Sequence, residues 1–213
     1  MVFVTIMSMF PSAFSVEEDN IISQTGLLSK HQGETTMTDE KKNRIILITG
    51  DGKGKTTSAL GMVLRAVGHG QRVCVIQFIK NRSDTGEARA LACLPNVETH
   101  LCGQGFVLPK GGPSQDTHKC AAEAGLGLAA QKLLDASFGM VVLDEVCGAV
   151  ALGLLDAQAV CKTVSSAAPG KVIVLTGRDA CQDLIMMADT VSRVECVKHG
   201  MGDGWAAQKG VEL

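Results

Sequence analysis

Ile45-Ile46-Leu47-Ile48-Thr49-Gly50-Asp51-Gly52-Lys53-Gly54-Lys55-Thr56-Thr57 is an apolar β run that empties into a glycine-rich loop ending in Lys-Thr. The residues after it repeat at helical spacing. Strand, glycine loop and helix in that order are the setting of a phosphate-binding loop. Gly50, Gly52 and Gly54 allow backbone N–H groups to turn inward around phosphate oxygens, and the next helix adds its positive N-terminal end. Lys55 then lies along the phosphates, and the Thr56 hydroxyl is suited to hold Mg²⁺. Lys53 is a weaker phosphate candidate than Lys55, Asp51 is suited to fixing the loop backbone, and Thr57 completes the motif.

The loop departs from the ordinary Walker pattern, which needs four residues between its first Gly and Gly-Lys-Thr. Gly50 leaves only Asp51, Gly52 and Lys53. Being one residue short, the loop implies nucleotide binding without implying ordinary γ-phosphate transfer. A dinucleotide-binding fingerprint fails too, because Lys55 stands where its third glycine belongs.

Working outward, Leu60, Val63, Leu64 and Val67 put one apolar stripe on the helix that starts at the phosphates, and Gly68 and Gly70 end it. Residues 72–79 read as a strand buried on both faces, as parallel strands are. A polar loop (80–85), a short helix (87–94) and a strand (97–101) follow. Residues 103–114 then form a loop with four glycines and two prolines, the kind of segment that commonly carries binding function. A long helix (116–136) feeds a strand (140–143) that terminates in Asp144-Glu145. A helix (157–167), a strand (171–175), the turn Thr176-Gly177-Arg178, a helix to 188 and a strand (191–197) complete the chain. This alternation predicts an α/β fold of the P-loop NTPase type: a parallel sheet with helices on both faces.

In such a sheet, ligands sit at the carboxyl ends of the strands. Residues 50–57, Lys80, Asp144-Glu145 and Thr176-Gly177-Arg178 should therefore share one edge. Asp144-Glu145 has the form of a Walker B element, in which a carboxylate binds Mg²⁺ directly or through water, and either acid is able to do so. Arg178 offers a planar fork of donors to phosphate or carboxylate; a surface pairing with Asp183 is the alternative. No Ser, Cys or His falls in a nucleophile-and-base signature. The expected catalysis is positioning, Mg²⁺ neutralisation of a polyphosphate and exclusion of water.

The bulk properties narrow the class. A chain of 213 residues with 46% apolar content and net charge −2 can bury one α/β domain. Near neutrality, no Tyr and a single Trp argue against a nucleic-acid partner. The eight cysteines are scattered without a CxxC pair and read as reduced thiols of a cytoplasmic protein, and no His has zinc-ligand spacing with them. Residues 1–14 are apolar but lack a basic n-region and are too short to span a membrane. Met37 stands as a natural start, so residues 1–36 are expected to be a mobile extension or a start-site artefact, and 37–213 the functional domain.

The blocks Thr49-Gly-Asp-Gly-Lys-Gly-Lys-Thr-Thr57, Leu64-Arg-Ala-Val-Gly-His-Gly70, Val75-Ile-Gln-Phe-Ile-Lys80, Val141-Val-Leu-Asp-Glu145, Leu175-Thr-Gly-Arg178, Ala188-Asp-Thr-Val191 and Val197-Lys-His199 resemble the P-loop ATP:corrinoid adenosyltransferases, the cob(I)alamin adenosyltransferase group. The similarity covers about residues 44–213 and includes the shortened loop. It implies a homodimer that binds ATP in reversed orientation, with the ribose 5′-carbon facing a reduced corrinoid. Co(I) would attack that carbon, releasing tripolyphosphate on Mg²⁺, after an electron donor has reduced Co(II). The resemblance further implies that residues 50–57 hold the polyphosphate, that Lys55 stabilises its charge, and that Thr56 with Glu145 coordinates the metal. An aromatic loop that helps remove the lower cobalt ligand maps onto Gly105-Phe106-Val107-Leu108, making Phe106 a catalytic candidate. The chain departs from the family pattern at Leu108, where a second aromatic is expected, and at residues 81–85, which lack one. Readings from other classes are a P-loop ATPase or phosphotransferase, and a non-catalytic nucleotide- or corrinoid-binding regulator.

Overall fold

Nearly unbroken apolar runs become strands here because helices cover both faces of the sheet they enter. The computed structural model describes residues 42–105 and 114–211. Residues 1–36, Phe106 and Leu108 lie outside the described residues. The strands are β1 (Arg44–Thr49), β2 (Val73–Gln77), β3 (Val97–Leu101), β4 (Met140–Asp144), β5 (Val172–Thr176) and β6 (Thr190–Arg193). They form one parallel sheet in the order β3-β2-β4-β5-β1-β6.

The helices are α1 (Lys55–Gly68), α2 (Gly86–Ala92), α3 (Gln115–Leu134), α4 (Val146–Ala151), α5 (Ala157–Ser165) and α6 (Gln182–Met187). Alternate strand residues divide the core. Ile48, Val75, Val142 and Val174 pack with Ala59 and Val63 of α1. Leu47, Ile76, Leu143 and Leu175 face the other way, with Ala129 of α3, Val160 of α5 and Leu184 of α6. Side-chain oxygens of Thr85, Ser114 and Asp156 cap α2, α3 and α5, taking up amides that a helix start leaves without partners.

The strand register brings polar side chains to one level at the carboxyl edge. Gln77 pairs with Asp144, and Ile48 with Thr176. Thr49, Gln77, Asp144 and Thr176 are all buried there. Because β5 separates β1 from β4, Thr176 stands between the phosphate loop and the acidic pair.

Two elements differ from the sequence reading. The last strand ends at Arg193 rather than at 197: the Val194 N–H still donates to Thr49 O at the end of β1, but its carbonyl already accepts from Gly52 N–H of the phosphate loop. Helix α4 was not expected, its short apolar run being indistinguishable by period from a continuation of the strand. No helix among the described residues is long and apolar enough to cross a membrane.

Candidate active site

The phosphate loop is pressed against the segment that follows β6. Gly50 has φ +100°, and a Cβ there would lie 2.5 Å from Val194 O; one on Gly52 would lie 2.5 Å from Glu195 O. These two glycines are required by backbone approaching backbone. The Gly52 N–H, expected to turn inward, instead donates to Val194 O at 2.8 Å. Gly54 (φ +120°) opens α1, and a Cβ there would meet nothing within 4 Å.

Lys55 is the first residue of α1 and is only 7% exposed. Its Nζ donates to Gly52 O at 2.9 Å, which folds the side chain back over the loop. Burial lowers its pKa, an effect opposed first by Glu145 and reinforced by Arg178. A partly dehydrated ammonium of this kind gains from an incoming anion.

The acidic pair is split by the backbone. Asp144 is 1% exposed at the end of β4. Its Oδ1 accepts from Thr56 Oγ1 at 2.7 Å and Thr176 Oγ1 at 2.8 Å, and its Oδ2 from Gln77 Nε2 at 2.8 Å. Lys80 Nζ stands 3.6 Å from Oδ2. Glu145 adopts the left-handed conformation (φ 62°), uncommon for a residue with a side chain. Its N–H donates to Thr176 Oγ1 at 2.9 Å. On either side of this turn Asp144 and Val146 are buried, while Glu145 lines the cavity. The Glu145 carboxyl is pushed above its ordinary value by burial and then by Asp144, against Lys55, Lys80 and Arg178.

Arg178 reaches the same wall. Gly177 (φ +139°) leaves only 2.6 Å between a notional Cβ and Gly148 N, so the turn passes directly over the start of α4. Asp183, the alternative partner of Arg178, accepts from Gln158 instead. Lys80 pairs with Glu87 at 3.0 Å, whose carboxyl is held below its ordinary value by backbone and Lys80 hydrogen bonds despite burial.

Together these groups surround a cavity of about 520 Å³. Asp51, Gly52, Lys53, Gly54, Lys55, Thr56, Thr57, Glu145 and Arg178, all named from sequence, line it; Gly50 does not. Lys80, Glu87 and His199 line it as well. Neither Glu87 nor His199 was singled out for a role from sequence. The only signal for them was their presence beside or within motif blocks, since their approach to Lys55 depends on tertiary packing. Lys53 Nζ donates to Val211 O, joining the loop to the C-terminal segment. The lining suits a polyanion with a divalent cation: cations at Lys55 and Arg178, oxygen donors at Thr56 and Glu145.

The segment leading to Phe106 leaves β3 in close contact with β2's extension. A Cβ on Gly103 would fall 2.1 Å from Ile79 O, and Gly105 N–H donates to that oxygen at 2.9 Å. Phe106 itself lies outside the described residues.

A family model described as ATP:corrinoid adenosyltransferase BtuR/CobO/CobP matches residues 41–213. A corrinoid adenosyltransferase of Pseudomonas aeruginosa is 40% identical over 175 residues, covering 82% of this chain and 85% of its own length. Corrinoid adenosyltransferase CobA of Salmonella typhimurium is 39% identical, covering 81% and 87%. That of Escherichia coli strain K12 is 35% identical over 189 residues, covering 89% and 95%.

Proposed function

The chain belongs to the ATP:corrinoid adenosyltransferase family, and on that premise we propose that the cavity at residues 51–57 holds the polyphosphate of ATP during adenosyl transfer. The protein is an enzyme of cobalamin biosynthesis that moves an adenosyl group from ATP to a corrinoid. The observation that carries the placement is the convergence of Lys55, Thr56, Glu145 and Arg178 on one cavity.

In this reading the cobalt substrate is Co(I). Its lone pair forms the bond to ribose C5′, the C5′–O bond breaks, and that electron pair departs with tripolyphosphate. No protein nucleophile is needed. The protein's contribution is charge fixed in advance where charge develops. Lys55, already desolvated and held over the loop, balances the departing polyphosphate, and Arg178 adds a fork of directed donors. Reversed ATP, with C5′ toward the corrin, follows from the resemblance.

The donor set fits Mg²⁺. Thr56 hydroxyl and Glu145 carboxylate are hard oxygens on the cavity, with Asp144 hydrogen-bonded behind Thr56. Among the described residues no group of three or more His, Cys, Asp or Glu forms a metal cage, as suits an ion that draws on phosphate and water for most of its ligands. Thr56 and Glu145 would hold it, and it would supply further neutralisation of the leaving group.

Phe106 is assigned to the corrin side, where it helps to exclude water and the lower cobalt ligand. Phe106→Ala should lose activity mainly when the assay begins from Co(II) and a weak reductant; equal losses from Co(I) would make its role structural. A homodimer, an electron donor and a cytoplasmic setting complete the proposal; eight free thiols support the last, and sedimentation tests the first. The function is tested with ATP, Mg²⁺ and chemically reduced cobalamin. Tripolyphosphate should accumulate in step with adenosylcorrinoid, whereas ADP and single phosphate without a cobalt–carbon bond would establish an ATPase instead.

A further inference from the structure

The C-terminal segment does more than support the phosphate loop. Val194 O takes up the Gly52 N–H, a donor that a phosphate loop would otherwise turn toward its ligand. Further along the same segment, His199 lines the cavity together with Lys55, Glu145 and Arg178. The mechanism above does not use it.

The tautomer that this ring presents follows from its hydrogen bond with the Met201 amide. His199 Nδ1 accepts from Met201 N–H at 3.2 Å, capping a short 3-10 turn (Gly200–Asp203). A backbone N–H only donates, so Nδ1 must hold the ring's lone pair. In the neutral imidazole the proton then sits on Nε2. The ring cannot ligate a cation in this tautomer, because its single lone pair is occupied. What it has to offer a ligand is an N–H donor, and the ligand chemistry that matches a donor beside Lys55 and Arg178 is an anionic oxygen.

We infer that His199 is a polyphosphate-binding residue, presenting Nε2–H to a phosphate oxygen of ATP bound in this cavity. The inference rests on the polyphosphate reading given above. The segment that removes one inward donor, at Gly52, thus returns another at His199. Lys55 and Arg178 supply charge, while His199 supplies a directed N–H donor whose orientation is set by the Met201 amide.

Two substitutions separate the ring's functions. In His199→Asn the side-chain oxygen takes the place of Nδ1 and keeps the cap on Met201, but nothing replaces Nε2. In His199→Gln an amide N–H reaches the Nε2 position. Binding of tripolyphosphate with Mg²⁺ is measured by calorimetry for these two proteins, the unaltered chain and Lys55→Ala, with melting temperatures recorded alongside. His199→Asn should bind roughly tenfold or more weakly, the range for one hydrogen bond to a charged acceptor, with its melting temperature retained. His199→Gln should recover a large part of the loss. Unchanged binding by His199→Asn while Lys55→Ala is weakened would overturn the inference and leave the cavity reading standing, as would a His199→Gln protein no better than His199→Asn. Unchanged binding by Lys55→Ala as well would overturn the polyphosphate reading and the inference with it.

Discussion

Thr176→Val tests the joint on which the acidic pair turns. The hydroxyl of Thr176, fully buried, donates to Asp144 Oδ1 at 2.8 Å and accepts from Glu145 N–H at 2.9 Å. Valine has nearly the same shape, so no cavity opens and the loss is polar. A hydrogen bond to a charged acceptor contributes about 1.5–3 kcal/mol, and a buried amide left without a partner costs about 1–3 kcal/mol. Both effects pass through one atom and are not additive, so the expected destabilisation is about 3 kcal/mol. For a chain of this size that is a fall of roughly 6–12 °C in Tm. Thr176→Ser keeps the oxygen and loses a methyl group, which costs about 1 kcal/mol. The assay is urea unfolding of both variants beside the unaltered protein, followed by the Mg²⁺ dependence of adenosyl transfer. Thr176→Val should also need more Mg²⁺, because the turn that aims Glu145 is loosened. If Thr176→Val is no less stable than Thr176→Ser, the hydroxyl is not the joint that the geometry indicates.

Lys55→Ala should lower the transfer rate on the order of 10²-fold or more, and near-normal turnover in steady-state kinetics would refute its role as the cation opposite the leaving group. Glu145→Gln should raise the Tm of the ligand-free protein at pH 7 while weakening its response to Mg²⁺. The Glu145 pKa is raised above the ordinary 4.5, so the folded protein binds that proton more tightly than the unfolded chain. Its contribution is present below 4.5 and lost as pH rises through the raised value; melting curves across that window should therefore show the advantage of Gln vanishing toward acid pH. Lys171→Met removes the ammonium that donates to Asp135 O and Phe138 O at 2.6 and 2.7 Å. It should cost about 2 kcal/mol in urea unfolding with kcat unchanged, because Lys171 precedes β5 at the sheet edge opposite the cavity.

Much of the fold was legible because its signals are local. Continuous apolarity in residues 73–76 and 140–143 marks strands that are buried throughout, and the stripe from Leu60 to Val67 marks α1. The phosphate loop could be read from thirteen consecutive residues, and Arg178 from its place just after a strand. Helix α4 was hidden because six apolar residues carry too little period to separate them from their surroundings. Gly50 and Gly52 were recognised as special, but the backbone they make room for lies at Val194 and Glu195, far along the chain.

The sequence by itself determined the element types other than α4, the parallel α/β class, the loop and the family, because each is written in contiguous residues or in motifs whose order survives without coordinates. Tertiary structure alone decided the strand order that sets Thr176 between the loop and the acids. It also decided which way each acid faces and that His199 shares a cavity with Lys55. The physical reason is that these depend on packing across the sheet. Val146 lies in the core, with Asp144 buried before it and Glu145 on the cavity, and the Val194 carbonyl joins the segment after β6 to the phosphate loop.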